Sequence, residues 1–229
     1  MNQSRDYATT WDYYDDEACP VCGLNYVRES EGDRRVHRAR HRKVLQVYEP
    51  KPNPQLAALH AKHGIFVPLD DGSPRWLRKR LEGMATMFRR ESWYDFAPYS
   101  ADEEEPTLWN NRKMSWHWLI VTADGRSIGG LSARWREFSN ATPRWMWAWV
   151  WIVPSHRRTG YAQRCWEMLK TLMPEIEPEP PFSHPIARFF AVRTDVPDYV
   201  REQAASQLQK REQKETSERQ QPNPVNKDQ

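Results

Sequence analysis

The spacing of apolar positions divides the chain into stretches of distinct period. Gly64-Ile65-Phe66-Val67-Pro68 reads as a short strand. After Pro74, the residues Trp76, Leu77, Leu81, Met84, Met87 and Phe88 recur three to four apart, which predicts an amphipathic helix with proline in its first turn. Trp116–Val121 and Ser127–Leu131 flank Asp124-Gly125 and predict a hairpin. From 145 to 153 the period is two, with Trp145, Trp147, Trp149, Trp151 and Val153 on one face and Met146, Ala148, Val150 and Ile152 on the other. Both faces are apolar, so this strand is expected to be central in its sheet. A turn of small and basic residues then leads into a helix from Tyr161 to Met173.

Polar stretches set the boundaries. Residues 1–18 form a polar, acidic arm, 102–106 an acidic loop, and the prolines of 49–54 break any helix, placing a linker at 49–55. Beyond Asp198 almost no bulky apolar residue remains, so 198–229 is expected to be a frayed helix running into a largely disordered tail. The organisation expected is therefore an arm, a small module at 19–48, the linker, a main domain at 56–197 and the tail.

Composition refines this in three ways. Mean hydropathy is only −0.93, but 12 Trp, 9 Tyr and 7 Phe supply enough apolar area for one core. A net charge of +3 gives no general attraction to polyanions. No apolar run is long enough to cross a membrane and the N-terminus lacks signal-peptide character, so a soluble, intracellular protein is expected, cytoplasmic or, in a eukaryote, nuclear.

Three cysteines are too few for a disulfide framework. Two of them, Cys19 and Cys22, precede His37 and His41 with the spacing C-x2-C-x14-H-x3-H. A tight turn presents two thiolates and one helix face presents two imidazoles, which suits a closed tetrahedral zinc site whose role is structural. The basic run Arg34 to Lys43 invites nucleic-acid contact. A solvated helix face explains it better, because one finger reads only about 3 base pairs, so at most weak contact is expected.

After the Trp-rich strand comes Val153-Pro154-Ser155-His156-Arg157-Arg158-Thr159-Gly160-Tyr161-Ala162, with Arg157-x-x-Gly160-x-Ala162 at a strand-to-helix junction. Main-chain amides at a helix N-terminus converge on one spot and the helix dipole adds positive potential, so a diphosphate can bind there. The candidate ligating stretch runs from Arg158 through Thr159, Gly160, Tyr161 and Ala162 to Gln163, with Arg157 or Arg158 adding charge. An ordinary helix cap would give the same string.

In this setting the loop resembles the GNAT superfamily motif Q/R-x-x-G-x-G/A. The order of finger, strand and helix, hairpin, loop and the segment Pro181 to Ala191 is similar to the sister-chromatid cohesion (ESCO) acetyltransferases. The matching pieces are CPVCGLNY with its distant H-x3-H, GIFVPLDDGSPRWLRKRLEGM, DGRSIGGLSA, and WIVPSHRRTGYA followed by FSHP, together spanning about residues 19 to 191. The resemblance implies an α/β fold: a mixed, mostly antiparallel sheet flanked by helices, preceded by the Cys2His2 module. It also implies acetyl-CoA as cosubstrate, held by Val153 and the loop, and an amine acceptor, a protein lysine or a small molecule. Two departures matter. His184 and Ile186 stand where the family has the Asp and Thr of F-S-D-P-T, and Ala148 stands for a family serine, so the cohesin substrate does not carry over.

Acetyl transfer needs a neutral amine, whereas a lysine of pKa about 10.4 is neutral only about 0.04% of the time at pH 7. A base is therefore required, and histidine titrates near neutrality. His184, with Ser183 as a hydrogen-bonding neighbour, is the catalytic candidate; Cys165, inside a helix, reads as a packing residue. The replaced residues leave two other readings open: a non-catalytic CoA-binding or regulatory protein, and a zinc-finger nucleic-acid-binding adaptor.

Overall fold

The computed structural model describes residues 16–92, 98–102, 115–139 and 141–220. The arm up to residue 15, residues 103–106 of the acidic loop and the chain beyond 220 lie outside the described residues. A two-stranded hairpin of β1 (Asp16–Ala18) and β2 (Asn25–Val27) precedes α1 (Glu31–Tyr48) and α2 (Pro54–His63). There follow β3 (Phe66–Leu69), α3 (Arg75–Ser92), β4 (Ser115–Val121), β5 (Ser127–Phe138), β6 (Ala141–Ile152), α4 (Tyr161–Leu172), β7 (Glu177–Pro178), α5 (His184–Ala191) and α6 (Asp198–Gln220). The main sheet has the order β3-β4-β5-β6-β7 and is antiparallel except for the β6–β7 pair. This is the mixed, mostly antiparallel α/β architecture expected.

Helix α3 forms because its apolar residues fall on one stripe: Leu77, Leu81, Met84, Ala85, Met87 and Phe88 are all buried. The Asp124-Gly125 turn is fixed by tertiary contact as well as by φ: at φ +79 a side chain on Gly125 would place its Cβ 2.1 Å from the Asn53 carbonyl at the start of α2.

Two expectations for strand β6 are corrected. It is not central; it pairs with β5 along its length, but β7 covers only Met146 and Trp147 on the other side. Its two apolar faces arise because helices cover both, not because strands flank both. The alternation within it also breaks. Ser132 pairs with Trp149 and Ala133 with Trp147, leaving Ala148 without a Cα partner on β5. This one-residue bulge moves every following side chain to the other face. Trp147 accordingly packs on Trp166 of α4 and Phe190 of α5, whereas Trp149 packs on Phe88 of α3 and Trp151 on Tyr48 of α1.

The tail, expected as a frayed helix, is a helix as far as the described residues run. Residues Asp198–Gln220 are helical, with Val200 and Ala204 buried and Leu208 against the core. Three apolar positions four apart are enough to dock a helix on α5. Gln207 adds hydrogen bonds to the main chain of Phe182, accepting from its amide at 3.1 Å and donating to its carbonyl. The linker reading is also shortened, since Asn53 caps α2 and Pro54 starts it. Among the described residues no helix is long and apolar enough to cross a membrane.

Candidate functional site

The β1–β2 turn folds as a tight knuckle in which the Gly23 amide donates to the Cys19 carbonyl and the Cys19 amide to the Leu24 carbonyl. Helix α1 starts at Ser30, whose hydroxyl accepts from the Asp33 amide, and this sets the phase that turns His37 and His41 toward the knuckle. The four ligand atoms of Cys19, Cys22, His37 and His41 lie within 4.8 Å of one another. Tyr26 stacks on His37 at 3.9 Å, and the His37 Nε2 is buried with no hydrogen-bond partner among the described residues. Burial pushes the Cys19 thiol up, but the Cys22 amide and the two imidazoles outweigh it and bring the thiol down to about 5. Burial pushes Cys22 upward. An orphaned imidazole nitrogen and a thiolate-favouring Cys19 within reach of Cys22 and His41 fit a tetrahedral zinc finger, with no ligand position left for chemistry. Arg90 of α3 reaches the knuckle and donates to the Val21 and Pro20 carbonyls.

The loop after β6 begins at Val153, which is fully buried; its amide donates to the Ile128 carbonyl and its carbonyl accepts from His156. Val153 therefore positions the loop but has no free donor for a ligand. Pro154–His156 make one 3₁₀ turn, Thr159 closes back onto the His156 carbonyl, and Arg158 and Gly160 take φ of 63 and 88. No side chain caps α4 at Gly160. The first amides of that helix, on Tyr161, Ala162 and Gln163, are thus left for an outside acceptor. A Cβ on Gly160 would meet nothing within 4 Å, so the approach to those amides is open.

The two arginines differ. Arg157 is committed, donating to the Ile152 carbonyl at 2.8 Å and to Glu91 at 2.6 Å, and lying over the Trp151 ring. Arg158 is exposed. The Gln163 side chain is engaged as well, donating to Glu167 and accepting from Arg193.

A shallow groove opens where β7 ends and β6 runs on beside β5; Ala148, Trp149, Glu179, Phe182, Ser183 and Ile186 are among its lining. Ser183 stands at the N-cap position of α5, makes no capping hydrogen bond with its side chain, and lines the groove. His184, the first residue of α5, is half-buried and does not line it; its Nδ1 is buried without a hydrogen-bond partner among the described residues. Cys165 is fully buried and burial pushes its thiol far up, as suits a packing residue.

Sequence reasoning missed Glu179. It is held by Arg134 (2.6 Å to each oxygen) and by Arg136 (2.7 Å), both from β5, and fixes the β7 end of the groove. The only available signal was Arg134-Trp135-Arg136, whose alternation places both arginines on one strand face.

Residues 84–177 match the model of the Acetyltransferase (GNAT) family. Among solved structures, the aminoglycoside antibiotic 6'-N-acetyltransferase AAC(6')-IG from Acinetobacter haemolyticus is 21% identical, with 34% of this chain and 59% of that one covered and a TM-score of 0.29. AAC(6')-Ih from Acinetobacter baumannii is 18% identical over 54% of this chain and 84% of that one, with a TM-score of 0.35. The xEco2 acetyltransferase domain bound to a CoA conjugate is 15% identical over 54% and 84%, with a TM-score of 0.37. The chain thus spans little more than half the length of the first of these. No curated protein sequence matches it. The segment that matches the family model runs from the middle of α3 through the hairpin, the bulged strand, the uncapped loop and α4 to β7.

Proposed function

We propose that this chain transfers the acetyl group of acetyl-CoA to an amine, with a protein lysine as the favoured acceptor. The observation that carries the reading is the uncapped start of α4 beside an exposed Arg158 and an open Gly160, within the GNAT-matched segment. There the pyrophosphate lies on the amides from Arg158 to Gln163 and the pantetheine arm follows the open edge of β6 into the groove at Ala148. The bulge leaves Ala148 outside the β5 ladder, so main chain rather than a side chain polarises the thioester carbonyl. The amine nitrogen attacks the carbonyl carbon, the C–S bond breaks, CoA leaves as thiolate, and the amine's surplus proton passes to a base. His184, which stands next to the groove-lining Ser183 and outside the lining itself, takes that part through a water held by Ser183; its buried, unpartnered Nδ1 leaves the ring without a structural hydrogen bond at that atom.

Cys19, Cys22, His37 and His41 hold one zinc ion, which supplies structure alone. The protein-lysine acceptor is favoured by the resemblance to the cohesion acetyltransferases.

Calorimetry with acetyl-CoA tests the cosubstrate. Gly160→Glu places bulk and negative charge where phosphates approach, so binding should be abolished; undiminished affinity in this variant would remove the loop from the proposal. Incubation with acetyl-CoA and a panel of lysine peptides, polyamines and aminoglycosides then identifies the acceptor. Acetylation of aminoglycosides alone would overturn the lysine assignment.

A further inference from the structure

Glu91, near the C-terminal end of α3, accepts hydrogen bonds from three other parts of the fold. Its Oε1 accepts from the Tyr48 hydroxyl at the end of α1 (3.1 Å) and from Trp151 Nε1 of β6 (3.0 Å). Its Oε2 accepts from Arg157 Nη2 of the loop at 2.6 Å. The preceding residue, Arg90, holds the carbonyls of Pro20 and Val21 between the two cysteines. The end of α3 therefore touches the metal-site knuckle with one residue and the phosphate-loop arginine with the next.

This arrangement bears on the loop because its own bonds, the 3₁₀ turn and the Thr159 hydroxyl on the His156 carbonyl, lie on one side of a backbone that is disfavoured. Arg158 adopts a left-handed φ that a residue with a side chain disfavours, and Gly160 adopts a second one. Such a backbone persists when its surroundings hold it, and Arg157 supplies a side-chain hold from outside the loop, fixed at one end by the Ile152 carbonyl and at the other by Glu91. If charge alone mattered, Glu91 would be a fault, since it neutralises a cation beside an anion-binding turn. Its value must be geometric.

We infer that Glu91 is a positioning residue for the pyrophosphate loop: it fixes Arg157 and thereby the convergent amides, and through Tyr48 it ties that loop to the finger helix. The inference rests on the acetyl-CoA reading of the loop, but a ligand-free measurement tests it separately. Amide hydrogen exchange over 157–163 is compared in the full-length, zinc-loaded parent and in Glu91→Gln, Arg157→Gln and the double variant. Each single change should speed exchange there by about 1.5-fold to fivefold, the scale of an ion pair between partly exposed side chains. The double variant should go no further than the larger single effect, since both changes break one contact.

Glu91→Asp, which keeps the carboxylate, should return exchange toward the parent, and Tyr48→Phe should raise it by a smaller factor. Calorimetry should show acetyl-CoA binding weakened in the same order, with melting temperatures little changed. Unchanged loop exchange in Glu91→Gln, additive effects in the double variant, or tighter acetyl-CoA binding once Arg157 is released would each overturn the inference. A parent that binds no acetyl-CoA would overturn the cosubstrate reading, while the exchange data would still decide whether Glu91 positions the loop.

Discussion

Trp147 and Trp149, two residues apart in β6, face opposite sides of the sheet. Trp147 stacks on Trp166 at 5.8 Å, and Trp149 meets Phe88 at 5.7 Å. The extra residue between them, Ala148, makes this arrangement, and the same residue lines the groove. One strand thus anchors both helical layers with indole rings, and its backbone leaves the ladder at the point where an acyl group would lie.

Deleting Ala148 should consequently spare the core. Trp147 and Trp149 already pair with the neighbouring residues Ala133 and Ser132, so removing the extra residue leaves regular alternation and keeps each indole on its own side. The deletion variant should still melt in one cooperative transition by circular dichroism, and Ala148→Ser should stay within about 1 kcal/mol of the parent, but the deletion should weaken acetyl-CoA binding because it closes the ladder where the proposal places the acyl group. A deletion variant with no cooperative transition would mean that the bulge is needed for packing, and one with undiminished acetyl-CoA affinity would take the bulge out of the proposed site.

The finger should not melt by itself. Besides Arg90 at the knuckle, α1 lies so close to α3 that a Cβ on Gly83 would sit 3.0 Å from Val47. Metal analysis should find one zinc per chain. Cys22→Ser should lose it, and should lower the melting temperature of the whole protein in one transition, because α3 carries both the finger contacts and the core stripe. Two separate calorimetric transitions would show instead that the prolines at 50–54 uncouple the units.

The contrast between Cys22 and Glu179 shows where the sequence speaks and where it is silent. Metal ligands announce themselves because their chemistry demands residue types at fixed local spacings, and α3 because its stripe is strictly periodic. The faces of β6 could not be read, because a bulge is a property of two strands in register and period two within one strand carries no trace of it. Helix α6 was legible as a helix but its docking was not, because in a polar composition the apolar contacts come down to Val200, Ala204 and Leu208 and the rest is a Gln207 bond to the Phe182 main chain. Glu179 and Glu91 act through arginines 43 to 66 residues away in sequence, a pairing that only the fold makes.

Asp195 supplies a pH test. Hydrogen bonds from Arg193 lower its carboxyl, burial opposes this, and Trp166 Nε1 lowers it further, leaving it at about 2 against an ordinary 3.8. A folded value below the unfolded one means the contribution is complete above pH 3.8 and is lost as pH falls toward 2. Because 46% of the side chain is exposed, its worth is discounted to no more than about 1 kcal/mol. Asp195→Asn should lower the melting temperature at pH 7 by about 2–4 °C, and the gap to the parent should narrow as the pH is taken below 3.8. A gap that does not depend on pH would assign the effect to packing against Trp166 rather than to charge.

His184 carries the sharpest test of the proposed chemistry. It lies one residue past Ser183, which lines the groove, and its Nδ1 is buried without a partner among the described residues. A histidine kept only for packing would normally have that nitrogen satisfied, since an unpaired buried polar atom costs about 1–3 kcal/mol. If the ring takes the amine's proton, His184→Ala should lower turnover by about 10²- to 10⁴-fold while acetyl-CoA affinity stays nearly unchanged. Ser183→Ala should cost less, because a hydroxyl that orients a water can be replaced in part by solvent. The comparison is made once an acceptor is found, with turnover followed from pH 5.5 to 9 and acetyl-CoA affinity measured on the same preparations. A base contributes to the rate only while unprotonated, so the parent's acid limb should vanish in the alanine variant. Full activity in His184→Ala with an unaltered pH profile would take the base role away from this residue, and Glu179 or a groove water would then have to supply it. His184→Asp restores the residue type of the cohesion acetyltransferases; if it matches the parent, the position accepts either base, and the departure from that family at residue 184 is a substitution of like for like.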